Sequence, residues 1–245
     1  MSRKDEFKSV SSNPATKFFE WDSTNGSFKY YDKEASTNKM VKMPFKFLTL
    51  KELHTIKGWH GKSESGIVSN EITNMSEMLN VKSFKGGPIV VGLYKDIKDK
   101  LQGGVYHKSI YVMLGDGSIA NISMKGACVA AWGDFTAKCK SRLPDEWVAV
   151  TGAEDQKNGS VKYTTPKFEF KSTLTEKESA EADVVYANLK DYFSGYFSKQ
   201  DEESAVRESV AVVPPATNKD AAKFESAKPA PAVAAFTAED DDLPF

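Results

Sequence analysis

Cysteine is nearly absent from this chain of 245 residues: there are two, Cys128 and Cys139. They fall at the two ends of one expected helix, roughly 16 Å apart at ~1.5 Å per residue, which exceeds disulfide reach. A disulfide framework is therefore excluded, and reduced thiols in a cytoplasm-like compartment are expected. Histidine is equally scarce. His54, His60 and His107 are scattered and no Cys-x-x-Cys occurs, so the sequence offers no metal centre and implies no cofactor. No stretch approaches eighteen apolar residues, and the charged start Met-Ser-Arg-Lys-Asp-Glu has no apolar run behind it, so neither a membrane span nor a secretory signal is expected. Gly61-Lys62-Ser63 ends like a phosphate-binding loop, but Ile56 stands where that motif needs glycine. Asp96 and Asp99 alternate with Lys95, Lys98 and Lys100, which makes a solvated face rather than a carboxylate pair. Without a catalytic constellation, the chain reads as a non-enzyme.

A strong charge of one sign is missing too, with 33 Lys and Arg against 34 Asp and Glu. The average hides an asymmetry. Residues 201–245 hold ten acidic and four basic side chains, a net of −6, which leaves the first two hundred residues at +5. Between 201 and 238 there are eleven alanines, four prolines and two aromatics, Phe224 and Phe236. Such a segment buries too little apolar area to offset the entropy of ordering it, so 201–238 reads as a disordered linker. Residues 239–245 are a separate acidic tip, and 1–15 a loose N-terminus.

The body, 16–172, reads as mostly strand. Lys17–Trp21 and Ser27–Tyr31 form a hairpin through Asn25-Gly26. Val41, Met43, Phe45 and Phe47 alternate with Lys42, Pro44 and Lys46, the period of a half-buried strand. A Gly-, Lys- and Ser-rich loop is expected over 58–66 and a strand over Leu79–Phe84. A helix is expected to open at Pro88, with Ile89, Leu93, Ile97 and Leu101 on its buried face. From Lys108 the order is strand (109–114), turn, strand (119–124), helix (126–139), then strands at 147–151 and 161–170. Cys128, Trp132, Phe135 and Cys139 form the buried stripe of that helix. Two strands, a helix and a hairpin match the end of the five-stranded oligonucleotide/oligosaccharide-binding barrel. The fold class expected is mainly β with a few helices: an OB-fold-like Greek-key barrel, its first strand at 40–50, an insertion over about 51–107, and a C-terminal amphipathic helix within 173–200. Thr175 and Glu178 supply that helix with a capping box, and Val185, Leu189, Tyr192 and Tyr196 with an apolar stripe.

At the C-terminus, Asp240-Asp241-Asp242-Leu243-Pro244-Phe245 on a Pro- and Ala-rich linker closely resembles the acidic tip of bacterial single-stranded DNA-binding proteins, with Leu where that family usually has Ile. The resemblance covers under a tenth of the chain. It implies that the tip docks replication, recombination or repair enzymes of the polymerase, primase, helicase or recombinase class. The final Phe would enter an apolar pocket, its carboxylate would meet a basic residue, and the aspartates would meet the cationic surroundings. The body does not match that family residue by residue; its layout is similar to the divergent single-stranded DNA-binding proteins of tailed phages. The tetramer of the bacterial family is therefore not carried over, and the oligomeric state stays open. The expected setting is the cytoplasm of a bacterium, or of a host cell if the protein is phage-encoded.

Sequence-tolerant binding of a single strand needs aromatic platforms for bases and cations for phosphates. The candidates are Lys57, Trp59 and Lys62 in the Gly-flanked loop with His60; Lys82, Phe84 and Lys85; Tyr106, Lys108 and Tyr111; and Lys162 with Tyr163. Trp21, Tyr30 and Tyr31 read instead as the packing of the first hairpin. The competing function is a protein-interaction adaptor whose body binds protein and which uses the same docking tip.

Overall fold

The computed structural model describes residues 13–137 and 139–211. It begins with β1 (Lys17–Asp22) and β2 (Ser27–Asp32), a hairpin made by its turn chemistry. The Asp22 carboxylate accepts the backbone N–H groups of Thr24 and Asn25, both at 3.1 Å, and Gly26 supplies the positive φ of 61°. The short β3 (Thr37–Met40) adds to β2. β4 (Phe45–His60) is sixteen residues long and is followed by the meander β5 (Ser65–Ser69), β6 (Leu79–Ser83) and β7 (Pro88–Gly92). After the single-turn α1 (Tyr94–Ile97) come β8 (Gly104–Leu114), β9 (Ile119–Lys125), α2 (Ala127–Ala137), β10 (Glu146–Asn158), β11 (Val161–Thr173) and α3 (Glu176–Ala211).

The strands form one open mixed sheet in the order β3-β2-β1-β9-β8-β4-β5-β6-β7, with β10 also on β4 and β11 on β10. β4 is its spine. Phe47 pairs with Leu114 on one side and Val148 on the other, while residues further along β4 pair with both β8 and β5. The one parallel pair among the described strands is β1 with β9. That pairing takes the edge of β9 which a last strand would need to close a barrel, and β11 pairs with β10 alone.

One sheet face is apolar. Phe19, Trp21, Phe28, Phe45, Phe47, Ile110, Val112, Ile122 and Val148 pack there around Trp132 of α2, whose indole N–H donates to the Glu52 carboxylate at 2.6 Å. A second cluster on that face, Ile56, Ile67, Leu79, Val81, Ile97 and Leu101, seats α1 beneath β4–β6. The opposite face is covered in part by α3, where Ala182 meets Leu48, Met113 and Trp147. The capping box at its start forms: the Glu178 carboxylate accepts the Thr175 N–H at 2.8 Å, and Thr175 Oγ1 accepts the Glu178 N–H at 3.3 Å.

The architecture corrects several expectations. Pro88 opens β7, not a helix. Ile89-Val90-Val91 is a β-branched run that pairs with β6, and helix starts only at Tyr94. The strand expected over 40–50 is interrupted between Met40 and Phe45 and then runs on to His60, so the loop expected over 58–66 is the end of β4, a four-residue turn and the start of β5. Residues 51–107 hold the end of β4, the strands β5 to β7, α1 and the start of β8, and those strands extend the same sheet. α3 continues past 200 to Ala211, so the segment read as linker begins in helix. The chain divides at Tyr196 into two units, the second of which starts within this helix. The acidic tip, Glu239 to Phe245, lies outside the described residues, as do the N-terminal twelve.

Candidate nucleic-acid interface

Side chains alternate between faces along a strand, and directly paired residues share a face. On the face opposite the aromatic core, the registers of β8, β4, β5 and β6 therefore align Val105, Lys57, Val68 and Lys82 in one row. One step further, Trp59 stands opposite Gly66, and the Phe84 N–H donates to the Gly66 carbonyl at 2.9 Å. Trp59 and Phe84 are 62% and 73% exposed, so two large rings flank a glycine in open solvent above a row carrying two lysines.

Gly66 serves by what it lacks. A Cβ there would sit 2.6 Å from both Cδ2 and Cε2 of Phe84, so the ring lies directly on the glycine backbone. At Trp59 it is the backbone that is closely packed. A Cβ on Gly103 would come 2.3 Å from the Trp59 carbonyl oxygen, and the φ of +106° at that position favours glycine as well. Beyond Trp59 the turn is tied by the buried His60, whose Nδ1 lies 2.9 Å from Ser63 Oγ and accepts the Ser63 N–H at 3.2 Å.

Behind the rings lies a polar layer. Lys57 is half-buried; its Nζ donates to Ser123 Oγ at 3.1 Å, and burial lowers its pKa against the opposing pull of Glu71 and Glu20. Ser123 Oγ is also 2.9 Å from His107 Nδ1. Burial, reinforced by the charges of Lys57 and Lys125, pushes the His107 imidazole down to about 3, so it is neutral at ordinary pH. Lys62 and Lys85 are exposed near the two rings, and Lys82 is half-buried between β5 and β7.

Other expected residues lie elsewhere. Tyr106 is 8% exposed on the opposite face, its hydroxyl 2.5 Å from His54 Nδ1, and Lys108 on that same face pairs with Glu52 at 3.4 Å. Tyr111 points the other way and is 1% exposed beneath α3, edge-on to Phe193 at 5.0 Å, with its hydroxyl donating to Glu71 at 2.8 Å. The three are thus interior residues split between two faces rather than one cluster. Lys162 and Tyr163 sit on the arm formed by β10 and β11, opposite Lys157 and Gln156. That arm is anchored to the first hairpin by the Trp21 indole N–H donating to the Thr164 carbonyl at 2.9 Å.

Sequence reasoning missed the Ser123–His107–Lys57 layer, which becomes visible only when β8 and β9 are in register. It also missed Phe18, and it counted Tyr31 with the hairpin core. Trp21 is indeed buried at 9%, but Phe18 and Tyr31 are 49% and 58% exposed. Among the described residues no group of three His, Cys, Asp or Glu side chains is placed to hold a metal ion, and no helix is long and apolar enough to cross a membrane. No family model matches the chain, and neither a curated protein nor a solved structure is significantly similar to it.

Proposed function

We propose that this chain is a non-enzymatic single-stranded DNA-binding protein that coats exposed strands without sequence preference during replication, recombination or repair. Its acidic tip, Asp240 to Phe245, recruits partner enzymes. The observation that carries the reading is the exposed Trp59–Gly66–Phe84 row beside Lys57 and Lys82. Every base has a π-face to lay on such rings, and each stacked base contributes about 1–3 kcal/mol, while lysines along the row meet phosphates.

The connectivity supports an OB-type body inside the larger sheet. β4, β8 and β9 are antiparallel neighbours, α2 follows, and β10 and β11 form a hairpin whose first strand returns to β4. The basic balance of the first two hundred residues favours a polyanion, and the tip resemblance points to the same class of protein.

The test is fluorescence anisotropy of labelled oligo-dT against a duplex of equal length at two salt concentrations, with full-length protein. Tight single-strand binding that weakens with salt, little duplex binding, and loss on W59A/F84A are expected. No single-strand binding, by the full chain or by one lacking 201–245, would refute the reading and leave the protein-docking adaptor in its place.

A further inference from the structure

The first hairpin carries a second pair of exposed rings on the same face as Trp59 and Phe84. In β1, Phe19 and Trp21 turn into the core, which leaves Phe18 on the other face, aligned with Asn121 of β9. One step beyond the Phe19–Tyr30 pair, Tyr31 of β2 stands across from Phe18 and is itself aligned with Asn38 of β3. The registers place this pair and the candidate interface on one face of the sheet, although the residues directly between them are buried. Asn121 pairs with Tyr111, and on that side of β8 the next residues are Ser109, His107 and Val105; Val105 opens the row that holds Lys57, Val68 and Lys82.

Neither ring has a core task. The hairpin's inward aromatics are Phe19, Trp21 and Phe28, with Tyr30 edge-on to Phe19 at 5.4 Å, while Phe18 and Tyr31 keep about half their surface in solvent. The face between the two ring pairs bears Lys29, Lys125, Lys57 and Lys82 against Glu20, Asp22 and Glu71, with Lys29 paired to Asp22 at 3.3 Å, which leaves a narrow cationic excess. His107, Ser109, Asn121 and Ser123 on this face are buried, with Glu71 on Ser109 and α3 over Tyr111, so the open path between the ring pairs runs past them over Val105, Lys125, Glu20 and Lys29.

We infer that Phe18 and Tyr31 are a second base-stacking step for single-stranded nucleic acid. The strand crosses the sheet from β6 to β2, meeting the ring pair of Trp59 and Phe84 at one end and that of Phe18 and Tyr31 at the other. The two ends are six strand spacings apart, about 29 Å at ~4.8 Å each, and are also offset along the strands by about six residues or more, roughly 20 Å at ~3.3 Å per residue. This rests on the single-strand reading above and extends it to a distal contact on the N-terminal hairpin.

The experiment titrates the full-length protein with two labelled oligo-dT probes, one of about five and one of about fifteen nucleotides, which bracket the site sizes known for such surfaces. F18A/Y31A is expected to weaken binding of the long probe by at least about tenfold and to leave the short one within about twofold. W59A/F84A is expected to weaken both, and F18W/Y31W to retain long-probe affinity. Wild-type binding of the long probe by F18A/Y31A, while W59A/F84A fails, overturns the distal step and leaves the hairpin rings to a protein partner. Equal loss on both probes from F18A/Y31A, or failure of F18W/Y31W to retain binding, also overturns it, because the rings would then act through the fold. If neither alanine pair changes affinity, the single-strand reading falls, and the distal step with it.

Discussion

Replacing Gly66 with alanine tests the ring geometry without touching either ring. The added methyl would meet Cδ2 and Cε2 of Phe84 at 2.6 Å, well inside ordinary contact, so something must move. The backbone on both sides is held by strand pairing, whereas the Phe84 ring is 73% exposed and free to swing. The ring yields. Stability should then change by no more than about 0.5 kcal/mol, the range of ordinary surface substitutions. Affinity for oligo-dT should fall by the value of one platform, about 1–3 kcal/mol or roughly 5- to 150-fold. Because the loss is in stacking, it should be the same at low and high salt, whereas K82A should reduce the salt slope by about one. The assays are anisotropy at two salt concentrations and thermal melting on G66A, F84A and G66A/F84A. The double variant should bind no worse than F84A alone, since G66A acts through that ring. A G66A effect that persists undiminished in the F84A background would refute the reasoning, as would a large drop in melting temperature.

The His107 imidazole, held down to about 3 by burial, binds a proton less readily folded than unfolded, where its ordinary value is 6.5. Its contribution to stability is therefore complete above about 6.5 and is lost progressively as pH falls toward 3; denaturant titrations across that window should show a shallower decline for H107Q than for the wild-type chain. Y111F should remove the hydroxyl that donates to Glu71 and cost about 1–3 kcal/mol in urea unfolding, while oligo-dT affinity stays unchanged because the ring lies under α3. In the aromatic core, W132A should cost about 3–5 kcal/mol, and W132F should cost less, chiefly the bond to Glu52, as read from unfolding midpoints.

Much of the fold is legible where one local signal acts alone. Asn25-Gly26 marks the first turn, the strand–strand–helix–hairpin order from 109 to 170 is observed, and Thr175 with Glu178 caps α3 as its spacing predicts. Legibility ends where two periods coincide. Ile89, Leu93, Ile97 and Leu101 recur every four residues, which suits a helix face, but four is also a multiple of two, and Val90 and Val91 bring the β-branched content that sides with strand. Gly58 and Gly61 read as loop, yet Gly58 lies inside β4, where its Cα approaches Gly103 and Gly104 too closely for a side chain. For the candidate interface, alternation along β8 already separates Tyr111 from Tyr106 and Lys108. Which face receives α3 depends on long-range packing that no local window encodes.

The free edges of so wide a sheet bear on how copies of this protein behave when crowded. β3, at one end, is four exposed residues, Thr-Asn-Lys-Met, and β7, at the other, is five residues beginning with a proline that has no N–H to offer. The third strand paired on one side only, β11, has Thr164 hydrogen-bonded to Ser23 of the first hairpin through both its backbone N–H and its hydroxyl. Short, charged or proline-bearing edges discourage strand addition between molecules. Copies of this chain at high local concentration are therefore not expected to zip their sheets together through these edges.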